Sequence, residues 1–496
     1  MTISAATEAP LRHPTQLYVD GSWVGPASGE TIDVIDSNDE SHFYSVAAAG
    51  VADVKDAVSA ARRAFDDGPW PRMLPTERAQ YLRRMAEELR SRSDALSQIW
   101  PRESGQLVRI ARAGAGTAAG TLDFYAGLAE QFAWEEPVSP SVGGGFAALV
   151  HEPVGTVAAI VPWNSPIMSS TRKVAPALLA GCTVVLKGAP EAPGAVYLLA
   201  EVADAVGLPA GALNVLVANR DVSESLVRDP RIDKVSFTGS TAVGRRIGAI
   251  MADRVGRCTL ELGGKSAAVV LDDADIVTVA ESLATTECRL AGQVCSALTR
   301  VIVSRARHDE FLEALVAAFA AKRVGSAFDE DTQIGPLASE AQLRRVQGYV
   351  EAGRKEGAVL AAGGSRPSHL PRGYFFEPTV FGGVDNSSVI AREEIFGPVL
   401  AVIPAADEED AVRIANDSQY GLNAAVFTSD VDRAWEVARS LRTGTVGHNA
   451  DRLDFGIAFG GFKQSGIGRE GGRIGLLPYL EAKTVLLDAV PSAWSA

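Results

Sequence analysis

Cysteine and histidine are scarce in this chain of 496 residues, which has four cysteines (Cys182, Cys258, Cys288 and Cys295) and six histidines. No C-x-x-C pair occurs among them. That excludes the familiar zinc patterns and a disulfide framework, so no metal site is expected, and the usage suits a reducing cytoplasm. Long apolar runs are missing too. No uncharged stretch approaches the roughly 18 to 20 residues that span a bilayer, and Met1–Pro14 lacks the apolar core of a signal peptide. Basic residues are in deficit, with 47 Lys and Arg against 61 Asp and Glu for a net charge of −14. A nucleic-acid partner would want a basic stripe instead, although local charge can still hold small anions. The expectation is a cytoplasmic protein with no nucleic-acid and no membrane partner.

What is present is an ordinary globular composition, 47% apolar and 22% charged. The length exceeds one core, so two or three domains are expected. Gln16–Asp36 reads as short strands with a turn at Asp20-Gly21, and Val51–Asp66 and Thr76–Gly105 read as amphipathic helices. A Pro- and Gly-containing segment follows Trp134, then Phe146–Val150 reads as extended. From Gly155 the alternation is regular. Strands at Val157–Val161, Thr183–Leu186, Leu213–Val217 and Val235–Phe237 are interleaved with helices at Ser169–Leu179, Gly194–Val206 and after Gly239. This is the pattern of a doubly wound parallel sheet. A second β-α series opens at Ala267–Leu271, with helix Ile276–Leu290, strand Val301–Ser304 and helix Asp309–Ala321, and runs to about Asn449. The tail Glu481–Val490 again reads as a strand, of the kind that joins a neighbouring sheet.

Two short stretches carry the chemistry. Gly292-Gln293-Val294-Cys295 offers a sulfur nucleophile, and Leu260-Glu261-Leu262-Gly263-Gly264-Lys265 offers a carboxylate base. Thioester catalysis needs both, a thiolate to form the acyl-enzyme and a base to activate the water that ends it. Pro162-Trp163-Asn164-Ser165-Pro166 follows a buried strand at its carboxyl end, where ligands collect in open α/β sheets. Asn164 supplies a neutral N–H donor suited to an oxyanion; the bland alternative is an asparagine satisfying a turn. Phe237-Thr238-Gly239-Ser240-Thr241-Ala242-Val243-Gly244 sits where a strand gives way to a helix, either a phosphate cradle or a tight turn. Lys187, at the end of another strand, either bonds a ribose or phosphate or is simply solvated.

Six motifs in order carry a resemblance: P-W-N-x-P, F-T-G-S-T-x-x-G, E-L-G-G-K, G-Q-x-C, Glu393-Glu394-Ile395-Phe396-Gly397-Pro398 and Gly460-Gly461-Phe462-Lys463-Gln464-Ser465-Gly466. From about residue 16 to the C-terminus the chain is similar to the aldehyde dehydrogenase superfamily. The resemblance implies an α/β fold with a Rossmann-type cofactor domain (residues 1–132 and 152–261), an α/β catalytic domain (262–462) and a small β oligomerisation arm (133–151 and 480–496). It implies a homodimer or homotetramer. Cys295 would attack an aldehyde, Asn164 would hold the oxyanion, Glu261 would activate water, and Lys173 would assist a proton relay. The implied NAD site comprises Pro162, Trp163, Lys187, Gly239, Ser240, Gly244, Leu262, Glu394 and Phe396. One departure leaves NADP open as cofactor: Pro190 stands where the family commonly has a ribose-gripping glutamate, and Glu191 is displaced by one.

Arg172, next to Lys173, and Arg289, six residues before Cys295, are similar to the arginines of succinate semialdehyde dehydrogenases that hold the distal carboxylate. Arginine suits that task because its planar fork binds a carboxylate bidentately. Arg452 is a third candidate anion contact, and His448 could face the site or pack in its loop. The expected substrate is a small semialdehyde bearing a carboxylate. Oxidation of apolar or aromatic aldehydes, CoA as acyl acceptor, a thiol hydrolase and a non-catalytic cofactor-binding protein are the alternatives. Glu261 in the base position favours hydrolysis over CoA, and no histidine stands in a motif that would serve a thiol hydrolase.

Overall fold

The computed structural model describes residues 9–494, the Glu287 side chain excepted. Two large sheets dominate. The first has eight strands in the spatial order Gly466–Ile467, Arg257–Glu261, Lys234–Thr238, Thr156–Ile160, Thr183–Gly188, Leu213–Val217, Leu17–Val19 and Ser22–Val24. Its five central strands are parallel, and the outer ones join antiparallel. Strands Thr156–Ile160, Thr183–Gly188 and Leu213–Val217 are buried at every residue, because helices cover both faces. This accounts for their reading as unbroken apolar runs.

Chain order reverses between Thr156–Ile160 and Lys234–Thr238, which are neighbours in the sheet. Such a switch point opens a crevice at the carboxyl ends of the strands. Pro162-Trp163-Asn164 leaves one of these strands and Gly239-Ser240 leaves the other, so both loops line the crevice.

The second sheet has seven strands in the order Val359–Ala362, Thr379–Gly382, Val399–Ala405, Arg300–Ser304, Ala267–Val270, Asn423–Phe427 and Thr445–His448. All its pairings are parallel except the first. A third, antiparallel sheet joins Glu135–Val138, Phe146–Pro153 and Leu480–Leu487, and leaves Leu486 and Leu487 exposed. Among the described residues no helix is long and apolar enough to cross a membrane.

The structure departs from the sequence reading in two places. The expected single helix over Thr76–Gly105 is two, Pro75–Ser91 and Ser93–Ser104, broken at Arg92. The helix expected to reach Leu290 ends at Glu287. Leu290, Ala291 and Gly292 then take left-handed backbone, with φ of 48°, 50° and 73°. Apolar periodicity runs on through Leu290 and Ala291, which are buried, so the pattern conceals the reversal. That reversal turns the chain back to deliver Cys295.

Candidate active site

Cys295 is half-buried, in a cavity lined from both large sheets' domains by Asn164, Gly263 and Glu394. Glycines let the converging backbones touch. A Cβ on Gly264 would stand 2.3 Å from the Cys295 carbonyl oxygen, and one on Gly292 would stand 2.4 Å from the Gly397 carbonyl oxygen. The E-L-G-G-K, G-Q-x-C and E-E-I-F-G-P motifs are therefore three walls of one site. Burial first, then the carboxyls of Glu394 and Glu261, pushes the Cys295 thiol up to about 12, while Arg172 pulls it down.

Asn164 is 8% exposed, and its Nδ2 donates to the Gln293 carbonyl at 2.9 Å. A side-chain amide has two N–H donors, so the second remains for a ligand. The loop is held from behind: Trp100 Nε1 donates to the Asn164 carbonyl (3.0 Å) and Ser104 Oγ to that of Trp163 (2.6 Å).

Glu261 ends its strand, 2% exposed, and neither carboxyl oxygen has a hydrogen-bond partner among the described residues. Burial first, then repulsion by Glu470, raises it well above the ordinary glutamate range against Lys173, Arg469 and Arg172. Lys173 is fully buried in the Pro166–Ala180 helix and ion-paired to Glu470. The sequence reading missed Glu470. Its only local signal is a glutamate flanked by glycines just beyond the last motif, in Gly468-Arg469-Glu470-Gly471-Gly472.

Two cavities of about 490 and 220 Å³ share Pro162, Trp163, Thr238, Gly239 and Ser240, and so form one trough. The larger is lined by Lys187, Pro190 and Glu191, with Val227, Val243 and Ile250 as an apolar wall. Burial lowers Lys187 to about 8, and Glu191 opposes that shift, so the displaced glutamate still reaches the lysine's surroundings. Ser240 caps the Thr241–Asp253 helix, whose N-terminus offers N–H groups to a phosphate. Gly244 lines neither cavity: a Cβ there would meet Leu262 at 2.3 Å, so it serves helix packing instead.

The smaller cavity holds Cys295, Asn164, Leu262, Glu394 and Phe396. Glu394 accepts from the Gly264 N–H at 3.1 Å, and burial raises its carboxyl to about 7. Phe396, at φ 62°, sets its ring edge-on to Trp163 with centroids 5.3 Å apart. Gln342 and Arg345, which sequence reading did not single out, hold this turn by donating to the carbonyls of residues 394–396. An elongated trough with a helix N-terminus midway, a buried lysine at one end and a cysteine at the other fits a nicotinamide dinucleotide.

The three arginines part ways. The Arg172 guanidinium carbon lies 3.2 Å from the centroid of the Phe455 ring, and no carboxylate is within ion-pair distance among the described residues. Burial lowers it to about 10, against Glu470, Cys295 and Glu261 nearby. Arg289 is instead paired with Asp451, which is buried and also accepts from Asn423 Nδ2 at 2.7 Å. Arg452 is exposed and donates to the His448 carbonyl (3.2 Å), while the His448 ring lies 3.0 Å from the Thr428 carbonyl. The structure brings only Arg172 to the nucleophile with its charge uncommitted.

Residues 23–485 match the model of the aldehyde dehydrogenase family. The chain is 42% identical to geranial dehydrogenase of Castellaniella defragrans over 95% of its length and 98% of that protein's. It is 41% identical to 3-succinoylsemialdehyde-pyridine dehydrogenase of a Pseudomonas species, covering 96% and 99%. Among solved structures, the Mycobacterium tuberculosis aldehyde dehydrogenase complexed with NAD+ superposes with a TM-score of 0.93 at 43% identity, covering 97% and 99%.

Proposed function

This chain belongs to the aldehyde dehydrogenase family, NAD(P)-dependent oxidoreductases, and on that premise we propose that its aldehyde carries a carboxylate at the far end, as succinate semialdehyde does. One observation carries the choice. Arg172 is half-buried beside Cys295 and Glu261 with its fork free of any described carboxylate. A partly desolvated arginine with no carboxylate in direct contact is costly, and an incoming carboxylate offsets that cost. The same charge opposes aldehydes bearing an ammonium group. Arg289, paired with Asp451 and exposed, does not supply an uncommitted charge.

The reaction follows from the residues in place. Cys295 passes its proton to Glu261, which hands it on before the next step, and its sulfur bonds to the aldehyde carbon while the carbonyl electron pair moves to oxygen. The free N–H of Asn164 and the backbone N–H of Cys295 receive that oxyanion. A nicotinamide dinucleotide held by Lys187, Ser240, Glu394 and Phe396 would supply the hydride acceptor, and loss of the hydride from that carbon would leave Cys295 carrying a thioester. Glu261 then takes a proton from water, the water oxygen attacks the thioester carbon, and the C–S bond breaks to release the acid and the thiolate. Glu470, paired with Lys173 and within electrostatic reach of Glu261, is the natural next holder of that proton. Glu191 beside Lys187 supports NAD over NADP, since a carboxylate there repels a 2′-phosphate. The exposed Leu486 and Leu487 on the antiparallel arm support a homodimer or homotetramer.

Apolar aldehydes are the competing reading, favoured by the Phe455 ring beneath Arg172. Steady-state kcat/KM on succinate semialdehyde, hexanal and benzaldehyde separates the two. An advantage for the acid-bearing substrate is expected, and preference for hexanal or benzaldehyde overturns the proposal.

A further inference from the structure

Lys234 opens the Lys234–Thr238 strand and is 1% exposed. Its Nζ donates to Thr259 Oγ1 at 2.7 Å and stands 5.1 Å over the ring of Tyr479. No carboxylate lies within ion-pair distance of it among the described residues. Burial lowers Lys234 to about 8, so at neutral pH it is still mainly an ammonium; methionine would fill the same space without the cost of burying that charge.

Strand alternation explains where the side chain points. Lys234, Ser236 and Thr238 share one face of their strand, and Thr259 and Glu261 share that face of the neighbour paired with it in register. Glu261 stands at the carboxyl end of this face and Lys234 at the amino end. Polar groups fill the space between them. Tyr479 donates its hydroxyl proton to Ser236 Oγ at 3.0 Å, and Lys173 is bound to Glu470. Lys234 is within electrostatic reach of Lys173 and Glu470, and Glu470 in turn is within reach of Glu261, Tyr479 and Tyr125.

The titratable groups within electrostatic reach of Lys234 are Cys258 on the adjacent strand, Cys182 after the Pro166–Ala180 helix, Lys173 on that helix, Tyr479 on the C-terminal turn, and Glu470. Glu470 is the one carboxyl group among them, and it is shared with Lys173. A second cation has therefore been placed behind an ion pair that already balances.

We propose that Lys234 is a positioning residue for the general base: acting through Glu470 and Lys173, its ammonium keeps Glu261 ready to release its proton between turnovers. The inference rests on the reading of Glu261 as the base. Without the ammonium, Glu470 and Glu261 face each other with one cation fewer, so Glu261 holds its proton to higher pH.

The test is the pH dependence of thioester hydrolysis in single-turnover experiments on the full chain with NAD+ and aldehyde. Lys234→Met should move the acidic midpoint up by about half a unit to one unit, with KM for aldehyde and NAD+ unchanged. Lys234→Arg, which keeps the charge, should stay at the wild-type midpoint. Thr259→Val removes the hydroxyl that holds Nζ and should shift the midpoint the same way by less. It decides the matter if Lys234→Met does not fold. Unmoved midpoints in the folded variants, or altered KM without a shift, overturn the proposal. Glu261→Gln separates the two levels: wild-type hydrolysis in that variant sinks the base reading itself, whereas slow hydrolysis with unmoved Lys234 and Thr259 midpoints sinks only the role of Lys234.

Discussion

Arg172 sets its guanidinium over the ring of Phe455, 3.2 Å from guanidinium carbon to ring centroid. The ring fixes the fork without consuming its N–H donors, because a cation over an aromatic face is held by the quadrupole and not by hydrogen bonds. Arg172→Leu should therefore lower kcat/KM for succinate semialdehyde by roughly 10- to 100-fold, the worth of one charge-assisted contact of about 1.5–3 kcal/mol. Hexanal should change little. Arg289→Leu should affect both substrates alike. Steady-state kinetics on the two aldehydes check this.

Lys173 and Glu470 are both buried, so removing one strands the other. Lys173→Met should cost about 3–5 kcal/mol of stability, the usual penalty for breaking a buried pair. Denaturant unfolding gives the number, and a loss below about 1 kcal/mol would mean that the site relaxes or admits water.

Glu103 gives stability a pH slope away from the site. It accepts hydrogen bonds from Tyr44 Oη and the Gly194 N–H, yet burial raises its carboxyl from 4.5 to about 8. The folded state holds this proton where the unfolded chain has lost it. Stability from this group is fully present below pH 4.5 and is lost as pH rises to about 8, at up to ~1.4 kcal/mol per unit. Glu103→Gln should flatten that slope in unfolding curves taken across the window.

Glu191 and Lys187 line the same end of the trough. Glu191→Gln should narrow the preference for NAD over NADP by roughly tenfold, the effect of about 1.4 kcal/mol of lost repulsion. Initial rates with both cofactors read it directly. An unchanged ratio would place cofactor choice elsewhere in the cavity.

Gly264→Ala puts a Cβ 2.3 Å from the Cys295 carbonyl oxygen. Backbone must yield, and a displacement near 1 Å at the nucleophile costs about 100-fold in rate. The expected outcome is a folded protein, by circular dichroism, with kcat reduced to that degree.

The motifs were legible because each needs particular residues over a few positions. Pro162-Trp163-Asn164 and Gly239-Ser240 could be placed at strand ends from periodicity, and the sheet puts them at its switch point. The backbone reversal at Leu290-Ala291 was not legible, since buried apolar residues give the same pattern in a helix and in a tight turn. Glu470 was equally hidden. Nothing local distinguishes it from a solvated glutamate until Lys173, 297 residues earlier, is folded against it.

By itself the sequence determined the family, the doubly wound parallel sheet and the nucleophile and base candidates, because local spacing and side-chain chemistry suffice for those. Tertiary structure decided which charges are free. Arg172 and Arg289 look equivalent in the chain, but the fold gives Asp451 to one and only an aromatic ring to the other. Whether a half-buried arginine is a binding site depends on what packs against it, and that is set by residues distant in sequence.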